Sequence, residues 1–197
     1  MAVAASLPTA LPFLPQPRDL GSLRHGAMDC RGCDLFRDAT QTVFGKGPSP
    51  AAILFVGEQP GDQEDRAGEP FVGPAGKLLA VCMEQAGIDR DAVYVTNTVK
   101  HFKWELRGKR RLHKKPSLQE VSACRPWLEA EIVAVHPQLI VCLGATAAHE
   151  LLGPHFRVTR SRGELQNIPG HPPILATVHP SSILRARTGE DKNPGFD

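Results

Sequence analysis

Short stretches of the chain carry side chains whose types and spacing could do chemistry. Glu58-Gln59-Pro60-Gly61-Asp62 supplies two carboxylates, Asn97 an amide, and His179-Pro180-Ser181 an imidazole. A carboxylate and an imidazole facing one pocket can move a proton or stabilise charge that develops during a reaction. An amide offers a donor and an acceptor side by side, which suits the edge of a flat polar ligand. A further histidine, His113, stands in Arg110-Arg111-Leu112-His113-Lys114-Lys115. In such company a histidine ordinarily contacts phosphate, but its ring nitrogen is also a nucleophile. Glu58 could take a proton or a hydrogen bond from that ring if the stretch folds back over it.

The stretch around His113 is the one compositional anomaly. Between Lys100 and Lys115 lie eight Lys or Arg and one acid, Glu105. The 197-residue chain carries only +2 in total, so the remainder holds 15 basic and 20 acidic residues and the positive charge is local. A charge run is often just a solvated surface loop. Here Phe102 and Trp104 are interleaved with it, as phosphate contact plus base stacking on a single strand would require.

Five cysteines are an odd number in a chain too long to need disulfide staples, which points to a reducing compartment and to ligand or core roles. Cys82 falls among Leu78, Leu79 and Met83 on an expected helix, and Cys142 inside an apolar strand, so both read as small hydrophobes. Cys30-Arg31-Gly32-Cys33 has the spacing of a ligand pair and lacks the preceding strand of a thioredoxin-like redox pair. With His101 and Cys124 it makes a four-ligand set, whose chemistry leaves zinc and an iron–sulfur cluster both open.

These residues need elements to position them. Apolar runs at 51–57, 93–97, 139–144 and 174–178 read as buried strands, alternating with expected helices at 74–87, 117–135 and 145–152. Such alternation predicts an α/β fold on a parallel sheet, with its ligand crevice beyond the carboxyl ends of the strands. Glu58, Asn97, Gly144 and His179 are the residues found there. Residues 1–27, with Pro8, Pro12, Pro15 and Pro17, read as a flexible Pro-rich arm, followed by one domain over 28–186 and a short tail over 187–197. No apolar run approaches the roughly 20 residues of a membrane span.

Gly57 to Asp62, Gly68-Glu69-Pro70-Phe71-Val72-Gly73-Pro74-Ala75-Gly76-Lys77-Leu78-Leu79, Thr96-Asn97-Thr98-Val99-Lys100 and His179-Pro180-Ser181-Ser182-Ile183-Leu184 resemble motifs of the iron–sulfur (family 4 type) uracil-DNA glycosylases. The resemblance runs from about Met28 to Arg185, with the motifs in the family's order. It is closest to the UdgX branch, through Glu58-Gln59, through His101 in place of a cysteine, and through the Arg-rich insertion holding His113. It implies a three-layer α/β/α sandwich around a four-stranded parallel sheet. It further implies a [4Fe–4S] cluster on Cys30, Cys33, His101 and Cys124, and a uracil pocket of Gln59, Asp62, Phe71 and Asn97. His113, Glu58 and His179 become the catalytic residues, with His113 attacking the sugar and remaining joined to it. Lys109, Arg110, Arg111 and Ser181 become DNA contacts. The expected partner is uracil-containing, single-stranded DNA, bound by a cytoplasmic monomer without a membrane. Two alternatives share the motifs: a hydrolytic glycosylase of many turnovers, and a non-catalytic iron–sulfur nucleic-acid-binding protein. The chain departs from the family in the short run that follows Leu184.

Overall fold

A computed structural model describes residues 7–188. Its elements in chain order are α1 (Leu20–Met28), β1 (Ile53–Gly57), α2 (Asp62–Ala67), α3 (Pro74–Gln85), β2 (Tyr94–Asn97), β3 (Trp104–Arg107), β4 (Arg110–His113), α4 (Leu118–Val135), β5 (Leu139–Leu143), α5 (Ala145–Leu152), α6 (Val158–Ser161), β6 (Leu165–Gln166), β7 (Ile174–Thr177) and α7 (Pro180–Thr188), with short 3-10 turns between some of them. The main sheet has the order β2-β1-β5-β7-β6. Its first four strands are parallel, as expected, and β6 adds a two-residue antiparallel edge that was too short to read in the sequence.

Alternate residues of a strand face opposite sides, and here both sides are covered. Leu54, Val56, Ile140 and Cys142 pack with Leu128, Ile132, Ala147 and Leu151 of α4 and α5. Phe55, Val95, Val141 and Leu143 pack with Leu79 and Met83 of α3. This is the three-layer sandwich, and it explains why the strands read as unbroken apolar runs. Helix α4 opens with a capping box in which Ser117 and Glu120 each satisfy the other's backbone amide. Helix α3 opens with Pro74 in its first turn.

Two expectations need correction. The Pro-rich arm is not loose within its described part: Leu23 and Ala27 of α1 and Ala10 join Phe44, Val99 and Trp127 in a third apolar cluster against α4. Ala10 also donates its amide to the Ala123 carbonyl at 2.8 Å. Prolines here shape a packed segment, because small residues between them reach the α4 surface. The basic stretch, expected as a loop, is a β-hairpin in which Trp104 pairs with His113 and Arg107 with Arg110. Gly108 turns it at φ 63°, the left-handed position that a two-residue hairpin turn reserves for glycine. The run after β7 forms α7, nine residues long, and the rest of the expected tail lies outside the described residues. Among the described residues no helix is long and apolar enough to cross a membrane.

Candidate active site

The carboxyl ends of β1, β2, β5 and β7 form one rim. At its centre Gly57 lets two side chains close in: a Cβ there would collide with Asn97 Oδ1 and fall 2.7 Å from Phe71 Cζ. Asn97 is buried, its carbonyl accepts from Lys100 Nζ at 2.7 Å, and its side-chain amide has no hydrogen-bond partner among the described residues. Phe71 takes φ 58°, a left-handed conformation that costs a bulky residue on the order of 1 kcal/mol or more. That conformation brings its ring against Gly57, stacked with the His179 ring at 6.5 Å between centroids and 27° between planes. Amide, phenyl and imidazole thus meet at one place on the rim.

Glu58, directly after β1, accepts a short hydrogen bond from Thr146 Oγ1 and lies 3.3 Å, through Oε1, from His113 Nε2. Burial works to raise its carboxyl. The hydrogen bonds from His113 and Thr146, with the charges of His113 and His179, outweigh burial and hold it below the usual carboxylate range. Glu58 is therefore an anion at neutral pH. His179 is pushed down to about 4, chiefly by burial and against the pull of Glu58. Its Nδ1 accepts from the Ser181 amide at 3.1 Å and lies 2.8 Å from Ser181 Oγ, which itself accepts from Arg185 Nη1 at 3.3 Å. The proton of the neutral ring must then sit on Nε2, making His179 a hydrogen-bond donor in the neutral range. Ser181, expected on DNA, holds that ring in its tautomer.

The hairpin reaches the rim because its base is pinned. Gln59 donates from Nε2 to the carbonyls of Lys103 and Lys114, both at 3.1 Å, and accepts from the Lys103 amide at 3.0 Å. Both amide protons are consumed, so the expected contact of Gln59 with uracil gives way to a grip on the two feet of the hairpin. Asp62 is likewise occupied, by Arg111 Nε at 2.6 Å and Arg66 Nε at 3.0 Å. Arg111 also binds Asp65 at 2.7 Å and leaves only 14% of its side chain exposed. It is a clamp between β4 and α2 rather than a free phosphate contact. Its guanidinium lies over the rings of Phe102 and Trp104, while Phe102 is buried and Trp104 Nε1 donates to the Asp38 carbonyl at 2.9 Å. These aromatics hold the hairpin down and are not the free stacking platform expected of them. Lys103 completes the attachment with an ion pair to Glu120 at 2.8 Å. Lys109 and Arg110 are exposed at the tip, where the basic sequence placed DNA contacts.

Of the expected ligands, Cys30, Cys33 and Cys124 share the apolar cluster against α4, and His101 is buried beyond the end of β2. Burial raises the Cys33 thiol, and raises Cys124 to about 12, with Cys30 adding to both. Cys30 Sγ accepts from Trp127 Nε1 at 3.2 Å and Cys124 Sγ from the Lys100 amide at 3.3 Å. Such N–H donors are the outer partners that metal-bound sulfurs take. The Thr42 hydroxyl donates to the Ala27 carbonyl at 2.9 Å, so the His101 Nε2 beside it at 2.9 Å must be the donor. This leaves Nδ1 of His101 with a bare lone pair, the form that ligates. The donor chemistry suits a sulfur-rich metal group, although among the described residues no three His, Cys, Asp or Glu are drawn close enough to hold a metal.

Thr146 and Asp65 were not singled out in the sequence. Thr146 stands two residues beyond Gly144 at a strand end, where a hydroxyl was a weak but available signal. Asp65 is an acid one helical turn from Asp62, and nothing local distinguishes it from a surface residue.

Residues 44–196 match the family model described as the uracil DNA glycosylase superfamily. The chain is 38% identical over 162 residues to the type-4 uracil-DNA glycosylase of Thermotoga maritima, spanning 82% of this chain and 81% of that one. It is 37% identical over 164 residues to the type-4 enzyme of Archaeoglobus fulgidus, across 80% and 79% of the two chains. With the type-4 enzyme of Pyrobaculum aerophilum it shares 32% identity over 174 residues, 85% of each chain.

Proposed function

Because the chain belongs to the uracil-DNA glycosylase superfamily, we propose that it excises uracil from single-stranded DNA and stays joined to the abasic sugar through His113. The observation that carries the covalent part is His113 beside Glu58, 3.3 Å away, on a hairpin pinned at its base. Glu58-Gln59, His101 among the cysteines and the hairpin insertion support a place in the UdgX branch.

In this reading an extruded deoxyuridine enters the rim cleft, since chemistry on a base requires it to leave the stack. Asn97 presents a donor to O4 and an acceptor to N3–H, while Phe71 covers the ring. Cytosine reverses that pattern and would leave buried groups unpaired, a strong basis for rejection. The C1′–N1 bond breaks with its electron pair passing to uracil, whose O2 receives a hydrogen bond from Nε2–H of His179. Glu58 stabilises the cationic sugar. The lone pair of the His113 ring then forms the N–C1′ bond, and the ring sheds its other N–H proton to solvent. An imidazole held at the rim outcompetes water through its effective concentration. The N-glycosyl imidazole has no easy leaving path, so each molecule acts once.

Cys30, Cys33, Cys124 and Nδ1 of His101 would hold a [4Fe–4S] cluster. When bound, it supplies a cross-link between the N-terminal segment, the exit of β2 and α4. Protein that is brown and iron-loaded fits this assignment; colourless, zinc-loaded protein removes it.

The test is a denaturing gel of the protein mixed with a labelled single-stranded uracil oligonucleotide. A slow band that survives denaturation is expected. Its absence disproves the covalent link, and free uracil in molar excess over protein selects the hydrolytic alternative. His113→Ser is expected to abolish the band and admit water to the sugar.

A further inference from the structure

The tip of the hairpin differs from its base. Cross-strand partners share a face and successive residues alternate between faces. The register therefore puts Trp104, Leu106, Arg111 and His113 on the face turned toward Glu58 and Asp62, and Glu105, Arg107, Arg110 and Leu112 on the other. On the inner face Trp104, Arg111 and His113 all engage the body of the protein, whereas Leu106 overhangs it, 66% exposed. On the outer face Arg107 stands directly across from Arg110, with Lys109 in the turn between them. None of the three cations has an acidic partner among the described residues. Like charges directly opposite on a ribbon cost stability, and a bound anion between them would relieve that cost.

We infer that the tip is a subsite for a nucleotide flanking the one that reacts, with Leu106 against its base and Arg107 and Arg110 about its phosphate. The inference rests on the glycosylase reading for where the strand lies. Base and phosphate leave a sugar in different directions, as Leu106 and the arginine pair leave the ribbon on opposite faces. Leu106 stands two residues along the strand from the row of His113, about 7 Å. That is the span of about two stacked base steps. Aliphatic side chains pressed among bases are a recurrent mode of DNA contact. An acidic protein segment could satisfy the arginines but would give Leu106 no base.

A cycle of changes on both partners tests this. Affinities of wild type and Leu106→Ala are measured for single-stranded oligonucleotides carrying an uncleavable 2′-fluoroarabino uridine at the reacting position. The base is kept or removed at each of the two positions on either side. At one of these positions, removing the base is expected to weaken wild-type binding roughly tenfold, within the range for one stacked base. The same removal should change Leu106→Ala by no more than about twofold, since its contact is already gone. Arg107→Gln should lower the slope of log affinity against log salt by about one. Independent effects at all four positions overturn the base contact. A salt slope unmoved by Arg107→Gln overturns the phosphate contact and leaves an acidic protein as the candidate. If wild type releases no uracil from an ordinary substrate, the glycosylase reading fails, while the binding cycle still reports on the tip.

Discussion

Glu131, in the middle of α4, and Glu58, at the end of β1, are two carboxylates withdrawn from water, and their surroundings differ in completeness. Glu131 is fully buried and accepts from the Gly45 amide at 3.1 Å, Tyr94 Oη at 2.9 Å, Thr96 Oγ1 at 3.0 Å and, in a short ion pair, Lys100 Nζ. Lys100 spends its other two protons on Thr96 Oγ1 and the Asn97 carbonyl, both at 2.7 Å. Every valence is filled, and nothing remains to meet a ligand. Glu58 has one oxygen held by Thr146 and the other facing a histidine whose side chain is 49% exposed. The first arrangement closes on itself; the second leaves an anion and a half-exposed imidazole side by side at the rim. Burial of charge by itself does not mark an active site, whereas burial with one side unfilled does.

The comparison can be broken most severely at Glu131. Glu131→Ala strands the Lys100 cation in the core and should cost about 3–5 kcal/mol in urea denaturation, the usual penalty for breaking a buried pair. Lys100→Met with Glu131→Leu should recover only part of that loss: no charge is left to desolvate, but the Gly45 amide and the Tyr94 hydroxyl lose their acceptor. At the other carboxylate the effect moves from stability to rate. Glu58→Gln should melt near wild type yet release uracil on the order of 100-fold more slowly, measured in single turnover. A stability loss as large as that of Glu131→Ala would erase the distinction. Gln59→Ala loosens the feet of the hairpin without touching the cleft. It should slow formation of the denaturation-resistant band roughly tenfold, as expected of a misplaced nucleophile, while uracil release is largely kept.

A further effect is in pH. The folded state keeps His179 neutral down to about 4, whereas the unfolded chain takes that proton near 6.5. Acidification between these values therefore favours unfolding, and below them the contribution is constant. Glu58 acts in the same direction, since its lowered carboxyl favours the fold above the ordinary value of 4.5 and loses that advantage as pH falls further. Melting temperature should thus decline from pH 6.5 toward 4, and His179→Gln should flatten the upper part of the decline.

Much of this was legible in residue types and spacing. β1, β5 and β7 announce themselves as apolar runs because both of their faces are covered, and the strand-end rule then selects Glu58, Asn97 and His179. The hairpin was not legible. Its ribbon has no buried apolar face to impose an alternating pattern, and side-chain ties from Gln59, Arg111 and Trp104 hold it instead. Gln59 shows why roles are harder to read than places. An amide beside a strand-end carboxylate suits a base edge equally well, and only its distance to the Lys103 and Lys114 backbone decides otherwise. The N-terminal prolines misled for a related reason, since their effect depends on what Ala10, Leu23 and Ala27 find on α4.

The register of β3 with β4 places His113 opposite Trp104, at the pinned end of the ribbon, and Arg107 opposite Arg110 at the free end. The imidazole and the turn are therefore separable parts of one short element. Residues could be exchanged, added or deleted around Gly108 while the Gln59 grip keeps the imidazole in place. Such a ribbon lets a lineage, or an engineer, retune which strands are grasped without renegotiating the chemistry performed on them.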